Sequence, residues 1–424
     1  MIRKIDFLNG GEYDVIVVGA GTAGVFAAIS AARSGAKTIL IEKTSLPGGT
    51  ITTAGVDYPG LFHAWGKQII DGPCYEAIRR AEALGGAQIP EILECPKEHW
   101  HMQIRLNKFI FVTVCEEMLK EAGVKVCYHC SPVYIECSED SVEVGIIGKN
   151  DRVLYTAKIL IDATGDANMA EMAGFATEQS EVLQPATLIQ NISGYNIEDI
   201  DYDVVESMYK KAIVNGTLKL GDFQYEKPYE TFEKGRISMH IHMDDVSSFV
   251  GRTELEIEAR ETLKRVLAFV RSIPGGESIY VSDFSPECGV RETKRIMGEG
   301  KMTVENYISG YVYPDAIAYC FYPVDLHEQI GIKQMFHQKG VVPTIPYSAL
   351  IPKGAKRMLV AGRCAAGDTE SNSGYRVQAS CMAMGQAAGV AAALAAKNDV
   401  SVGEVDYGSL CDGLKSIGAI VPKK

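Results

Sequence analysis

Along the first fifty residues, apolar and polar positions alternate between strand and helix patterns. Tyr13 to Gly19 holds the apolar run Val15–Val18 closed by glycine, the pattern of a buried parallel strand. Thr22 to Ser34 is an alanine-rich helical stretch, and Lys37 to Glu42 is a second strand ending in an acid. Together they form one βαβ unit of about thirty residues, the usual size. Asn107 to Ala122 has helical periodicity, with Phe109, Val112, Met118 and Leu119 among its apolar positions. Val124–Cys127, Val133–Cys137, Val142–Ile147 and Val153–Tyr155 read as short strands, an antiparallel layer inserted in the fold. Ile159–Asp162 is a further buried strand. From Gln184 to Val341 the character changes: aromatics are frequent, charges are mixed, and Glu254–Ser272 is the clear amphipathic helix. Met358–Ala361 then reads as a buried strand and Met382–Lys397 as a helix of small residues. There is no internal repeat.

The turn after the first strand is Gly19-Ala20-Gly21-Thr22-Ala23-Gly24, followed by Glu42 at the end of the next strand. Gly19 allows the tight turn, Gly21 lets the backbone approach a pyrophosphate, and Gly24 lets helix and strand pack closely. The helix N-terminus offers free N–H groups and a positive dipole end, and Glu42 suits a ribose diol. The competing reading is a glycine turn without a ligand. Three segments choose FAD over NAD. They are the turn Leu46-Pro47-Gly48-Gly49-Thr50 with Lys43 and Thr52 beside it, the end Ala163-Thr164-Gly165-Asp166, and Val360-Ala361-Gly362-Arg363 with Gly385, Gln386 and Ala387 after it. A molecule as long as FAD must be held at both ends, so distant segments must converge.

The expected fold is therefore α/β. A Rossmann-type FAD-binding domain, a parallel sheet with an antiparallel insertion, takes residues 1–183 and 342–424; an α+β substrate domain takes 184–341. The chain has 424 residues, 42 basic against 54 acidic, a net charge of −12. That balance argues against nucleic-acid and anionic-membrane partners. Met1 to Tyr13 lacks the apolar core of a secretory signal, and Ala387–Ala396 is too short to span a bilayer. The eleven irregularly spaced cysteines read as reduced thiols, and a cytoplasmic location follows.

Strings along most of the chain resemble the FAD-dependent oxidoreductases of the glutathione-reductase-like two-domain fold, and more narrowly a bacterial family of mostly unassigned substrates. They include Ile161–Asp166, Gln184–Leu188, Glu287–Thr293, Tyr322–His327, Ile345–Leu350 and Val360–Cys364. The resemblance implies that Gly362 and Arg363 lie near the flavin ribityl chain, where many relatives carry Gly-Asp. It implies that Gly385 to Ala387 start a helix aimed at the flavin N1–C2 carbonyl, and that the strand holding Val133 packs on the adenosine.

The flavin would carry the redox step, leaving the protein to position a substrate and move a proton. His327 is the leading proton mover. Asp325, two residues away on an extended segment, would share its face. The competing reading is a structural histidine. Arg291 is a candidate carboxylate clamp, or else an ion pair with Glu287 or Glu292. Arg376 would bind substrate or flavin phosphate, or serve structure; Glu370, Asn372 and Tyr375 lie in the same polar loop. Cys127-Tyr128-His129-Cys130 lacks the second pair a four-thiolate site needs, so ordinary buried thiols are expected. The same holds for Cys288 and Cys364, against the alternative of reactive or flavin-linked thiols. His99/His101 and His240/His242 are i, i+2 pairs without an identifiable third ligand, so no metal is expected and they read as polar positions, with lining of the substrate cavity as their functional alternative. The favoured function is hydride transfer from a small hydroxy compound to FAD. Alternatives are reduction of an activated C=C bond, or a flavin subunit passing electrons within a larger complex. The electron acceptor or donor and any homo-oligomer are left open.

Overall fold

The computed structural model describes residues 6–91, 103–328 and 331–423. The expected His99 and His101 lie outside them. The chain opens with β1 (Leu8–Val18), α1 (Thr22–Arg33) and β2 (Thr38–Ile41). After α2 (Pro73–Ala83) comes α3 (Lys108–Glu121), capped by the Asn107 side chain accepting from Ile110 N–H at 3.1 Å. Then follow β3 (Lys125–Cys127), β4 (Ser131–Cys137), β5 (Val142–Gly148) and β6 (Asp151–Asp162). The sheet runs β3-β2-β1-β6-β5-β4. The pairs among β3, β2, β1 and β6 are parallel; β4, β5 and β6 pair antiparallel, as the insertion requires. The two expected strands around 153 and 159 are one, because Thr156 and Lys158 are simply the outward positions between buried Tyr155, Ala157 and Ile159.

The second unit is a three-stranded antiparallel sheet of β7 (Ala186–Ser193), β8 (Arg236–Ile241) and β9 (Tyr280–Asp283), in the order β8-β7-β9. Between β8 and β9 lies α4 (Phe249–Ser272), which starts earlier than its periodicity suggests because Ser248 caps it by accepting from Gly251 N–H. Its core runs from Ala186 to Val290. Ile296, Tyr307, Ile317 and Val324 pack instead into the first core. The second unit thus closes near residue 290, not 341: the aromatic-rich stretch after it buries its apolar residues against the nucleotide-binding half.

That stretch carries the hairpin of β10 (Val324–His327) and β11 (Ile332–Met335). Next come β12 (Met358–Val360), α5 (Thr369–Tyr375) and α6 (Gln378–Asn398), with β12 parallel to the end of β6, and a final helix, α7 (Tyr407–Ser416), follows. By length and composition α6 could cross a membrane, contrary to the shorter reading of its apolar run, but it is buried inside the protein. It lies against α1 with almost no side-chain spacer. A Cβ on Gly385 would sit 2.1 Å from the Ala23 carbonyl oxygen, and one on Gly389 2.2 Å from that of Ala27.

Candidate active site

Each glycine of the turn after β1 has a visible reason. Gly19 has φ +97°, and a Cβ there would meet the Ala163 carbonyl oxygen at 2.5 Å. A Cβ on Gly24 would lie 1.8 Å from the Gly19 carbonyl oxygen, so only glycine lets α1 rest on the turn. Gly21 precedes α1 with open space at its Cβ position, the room a ligand needs for close approach. The first turn of α1 has no acidic residue to take up its free N–H groups.

Two lobes meet here. The first, about 410 Å³, is lined by Gly19, Glu42, Lys43, Cys130, Pro132 and Asp166 among others. The Glu42 carboxylate is placed at its edge by the N–H groups of Ala20 (2.6 Å) and Thr44 (2.8 Å). Cys130 to Pro132 line this lobe, while Val133, at the register shift between Pro132 and Tyr134, is 42% exposed and does not. Gly48 and Thr52 act one step back. Gly48 adopts φ +104° to make the turn, and the Thr52 hydroxyl donates to the Pro47 carbonyl; Gly49, Thr50 and Thr53 line the lobe.

The second lobe, about 350 Å³, shares Gly21, Gly49, Thr50, Ala163, Thr164 and Arg363 with the first, so the two form one continuous cleft. Thr22, Ala23, Gly165 and Gly362 also line it, and so do Arg291, His327 and Arg376. The helix end facing this lobe is Val377–Gln378, not Gly385. Gly385 and Ala387 are buried two turns along α6. Gln386 serves the fold by accepting from Cys74 N–H and donating to the Asp71 carbonyl. Arg363 does not reach out as a free cation: it pairs with Asp166 and donates to the carbonyls of Gly165 and Val290. The other partner of Asp166 is the Thr293 hydroxyl, which donates to it at 2.6 Å. The stretch read as a polar loop is α5, in which Asn372 donates to the Arg363 carbonyl and Tyr375 to that of Ala365; Glu370 lies in its first turn.

Asp325 and His327 share one face of β10, and Asp325 Oδ2 lies 3.0 Å from His327 Nε2. His327 Nδ1 lies 3.2 Å from Nε2 of His240, which β8 brings across. Burial and the nearby Arg291 hold His327 down to about 4, against the pull of Asp325; burial and Arg291 likewise hold His240 down to about 2. Asp325, with His327 and Gln334 donating to it, is held down to about 2 despite its burial. Near neutral pH this is a carboxylate with two neutral imidazoles. It accepts from His327 Nε2–H, which leaves Nδ1 unprotonated beside His240 Nε2. Tyr225 stacks on His327 with centroids 6.3 Å apart, and both it and Glu226 take positive φ, 65° and 54°. The sequence reading gave no role to Tyr225, Tyr322 and Gln378; Tyr322 stands in the Tyr322–His327 string, while Tyr225 and Gln378 carry no motif. Of the second histidine pair, His240 joins the site and His242 is exposed.

Arg291 makes no ion pair with Glu287 or Glu292; its guanidinium donates to the Pro185 carbonyl and the Thr187 hydroxyl. Glu292 is taken by Arg295. Burial drives the thiols of Cys288 and Cys364 well above their ordinary range, so neither is a thiolate. Cys127 and Cys130 are free thiols. Among the described residues no cluster of three metal-ligating side chains occurs.

A glycine turn, a free helix end, an acid at the next strand and a long cleft closed at its far side by a second unit define a Rossmann-type dinucleotide-binding protein. The chain belongs to the FAD dependent oxidoreductase family, which it matches over residues 14–414. FAD is its cofactor, and the cleft suits it: one lobe carries the diol-binding acid, the middle carries the glycines, and the other lobe has a helix end and titratable groups. The chain is similar to 3-oxosteroid 1-dehydrogenase of Mycolicibacterium smegmatis, 45% identical over 12% of this chain and 9% of that one. It is also similar to digeranylgeranylglycerophospholipid reductase of Methanocaldococcus jannaschii, 24% identical over 48% of this chain and 51% of that one. Among solved structures, a geranylgeranyl bacteriochlorophyll reductase-like protein from Thermoplasma acidophilum aligns with TM-score 0.46 and 15% identity, over 96% of this chain and 84% of that one. The chain thus spans about half or less of the length of these two curated relatives.

Proposed function

We propose that the protein oxidises a small hydroxy compound, with the His327–His240 pair taking the hydroxyl proton as hydride leaves the carbinol carbon. Bound FAD supplies the two-electron acceptor. The observation that supports this is the Asp325–His327 pair in the wall of the lobe, with His240 against the second ring nitrogen of His327. A base at neutral pH must be unprotonated, and both imidazoles are. Asp325 fixes the His327 ring and stabilises the imidazolium that forms. Tyr225 covers the ring and limits water there.

Reduction of an activated C=C bond is the second reading. It is favoured by Arg291, whose burial and neighbouring Arg376 lower it to about 10, nearer the range of a proton donor. Anaerobic mixing of the holoenzyme with hydroxy compounds, amines and enoates separates the two. Flavin bleaching by a hydroxy compound is expected. No bleaching by any hydroxy compound, together with reoxidation of reduced flavin by an enoate, would overturn the first reading.

A further inference from the structure

We infer that the substrate lobe holds a monoanionic carboxylate between Arg291 and Arg376, so that the substrate is a hydroxy acid rather than a neutral alcohol; this rests on the same lobe being the substrate site. Three observations lead there. Nη1 of Arg376 is buried without a hydrogen-bond partner among the described residues, while Nη2 donates to Gln184 Oε1 at 3.0 Å and to the Asp325 carbonyl at 3.3 Å. Arg291 lines the same lobe and has no carboxylate within ion-pair distance among the described residues; its three contacts are the Pro185 carbonyl, the Thr187 hydroxyl and the edge of His240. Asp325, the carboxylate of this lobe, already accepts from His327 and Gln334.

The charges then fail to cancel. Arg363 is matched by Asp166, but Arg291 and Arg376 face one carboxylate, Asp325, leaving one positive charge among the lining residues of the lobe. Leaving a buried cation unmatched is costly, and the shortfall is met by one negative charge, not two. A carboxylate fits the planar fork of arginine, and its anchoring would set a hydroxyl beside the histidine pair.

The test uses probes with no oxidisable hydroxyl: pivalate, its neutral amide pivalamide, and the dianion dimethylmalonate. Each is titrated into the oxidised holoenzyme and read by perturbation of the flavin absorbance. Pivalate is expected to bind, pivalamide at least about 10-fold more weakly, and the dianion more weakly than pivalate. Arg376→Gln is expected to weaken pivalate by about 10–100-fold, with Arg376→Lys recovering part of the loss. Equal binding of pivalate and pivalamide to the unaltered protein would overturn the inference. So would an Arg376→Gln protein that lowers the flavin reduction potential but leaves pivalate affinity unchanged, since the charge would then serve the flavin. The two readings fail separately. Pivalate binding without bleaching by any hydroxy acid removes the oxidation and keeps the carboxylate subsite. Bleaching by neutral alcohols without pivalate binding does the reverse.

Discussion

His327 has Asp325 on one ring nitrogen and His240 on the other, and burial keeps it neutral well below its ordinary range. His327→Ala should therefore leave FAD bound, visible as an unchanged flavin spectrum, while kcat/KM falls by about 10²–10⁴. Unchanged turnover would remove the histidine from the reaction. Because the unprotonated form is the active one, activity should be full above the pKa and fall as pH drops through it. The acid limb of kcat/KM is expected near pH 4, not near the 6.5 of an exposed histidine. At the other end of the cleft, Glu42→Ala should weaken FAD by about 1.5–3 kcal/mol, measured as the dissociation constant for FAD. Part of that loss belongs to the protein, since the Ala20 N–H would lose its acceptor. At this scale the sequence was informative wherever local spacing sets geometry. The i, i+2 placement of Asp325 and His327 on a strand was enough to put both on one face. It marked His240 only as half of an i, i+2 pair and could not name its partner, which lies 87 residues away.

The helix α6 shows how a pattern of small residues is ambiguous at the scale of elements. Gly385 and Gly389 announce a close approach, but spacing alone does not say whether a ligand or another helix approaches. Here it is the α1 backbone, at the Ala23 and Ala27 carbonyls. The helix end that does face the lobe is Val377–Gln378, concealed in the sequence because Gln378, Ser380 and Cys381 do not look like the start of an apolar helix. Gly389→Ala should consequently act on the fold, not the cleft. Its methyl would press on the Ala27 carbonyl, at an expected cost of about 1–3 kcal/mol as for overpacking elsewhere. A denaturant titration should show that loss, while FAD affinity per folded molecule stays the same. A selective loss of FAD affinity would restore a direct role for this part of the helix.

Over the whole molecule, the nucleotide half was legible because a parallel βαβ unit is a local arrangement. The limit of the second unit was not, because residues 296–345 have no distinctive periodicity and their place is decided by which core they join. The cleft draws on both units: β8 brings His240, β10 brings His327, and Arg363 ties Gly165 to Val290. Folding is thus linked to proton uptake at a junction between distant segments. In the unfolded chain both histidines take protons near pH 6.5, whereas the fold holds them down to about 4 and about 2. Between those values the unfolded chain binds more protons, so stability should be full above about pH 6.5 and fall as pH drops through about 4. Carboxylates elsewhere add their own acid dependence, so the slope alone does not identify its source. The difference between two proteins does. With FAD saturating, the fall in thermal midpoint between pH 7 and pH 5 should be smaller for His327→Asn than for the unaltered protein. Equal falls would mean that His327 titrates in the fold much as it does in the open chain, and the acid limb of kcat/KM would then lie near pH 6.5 instead of near 4.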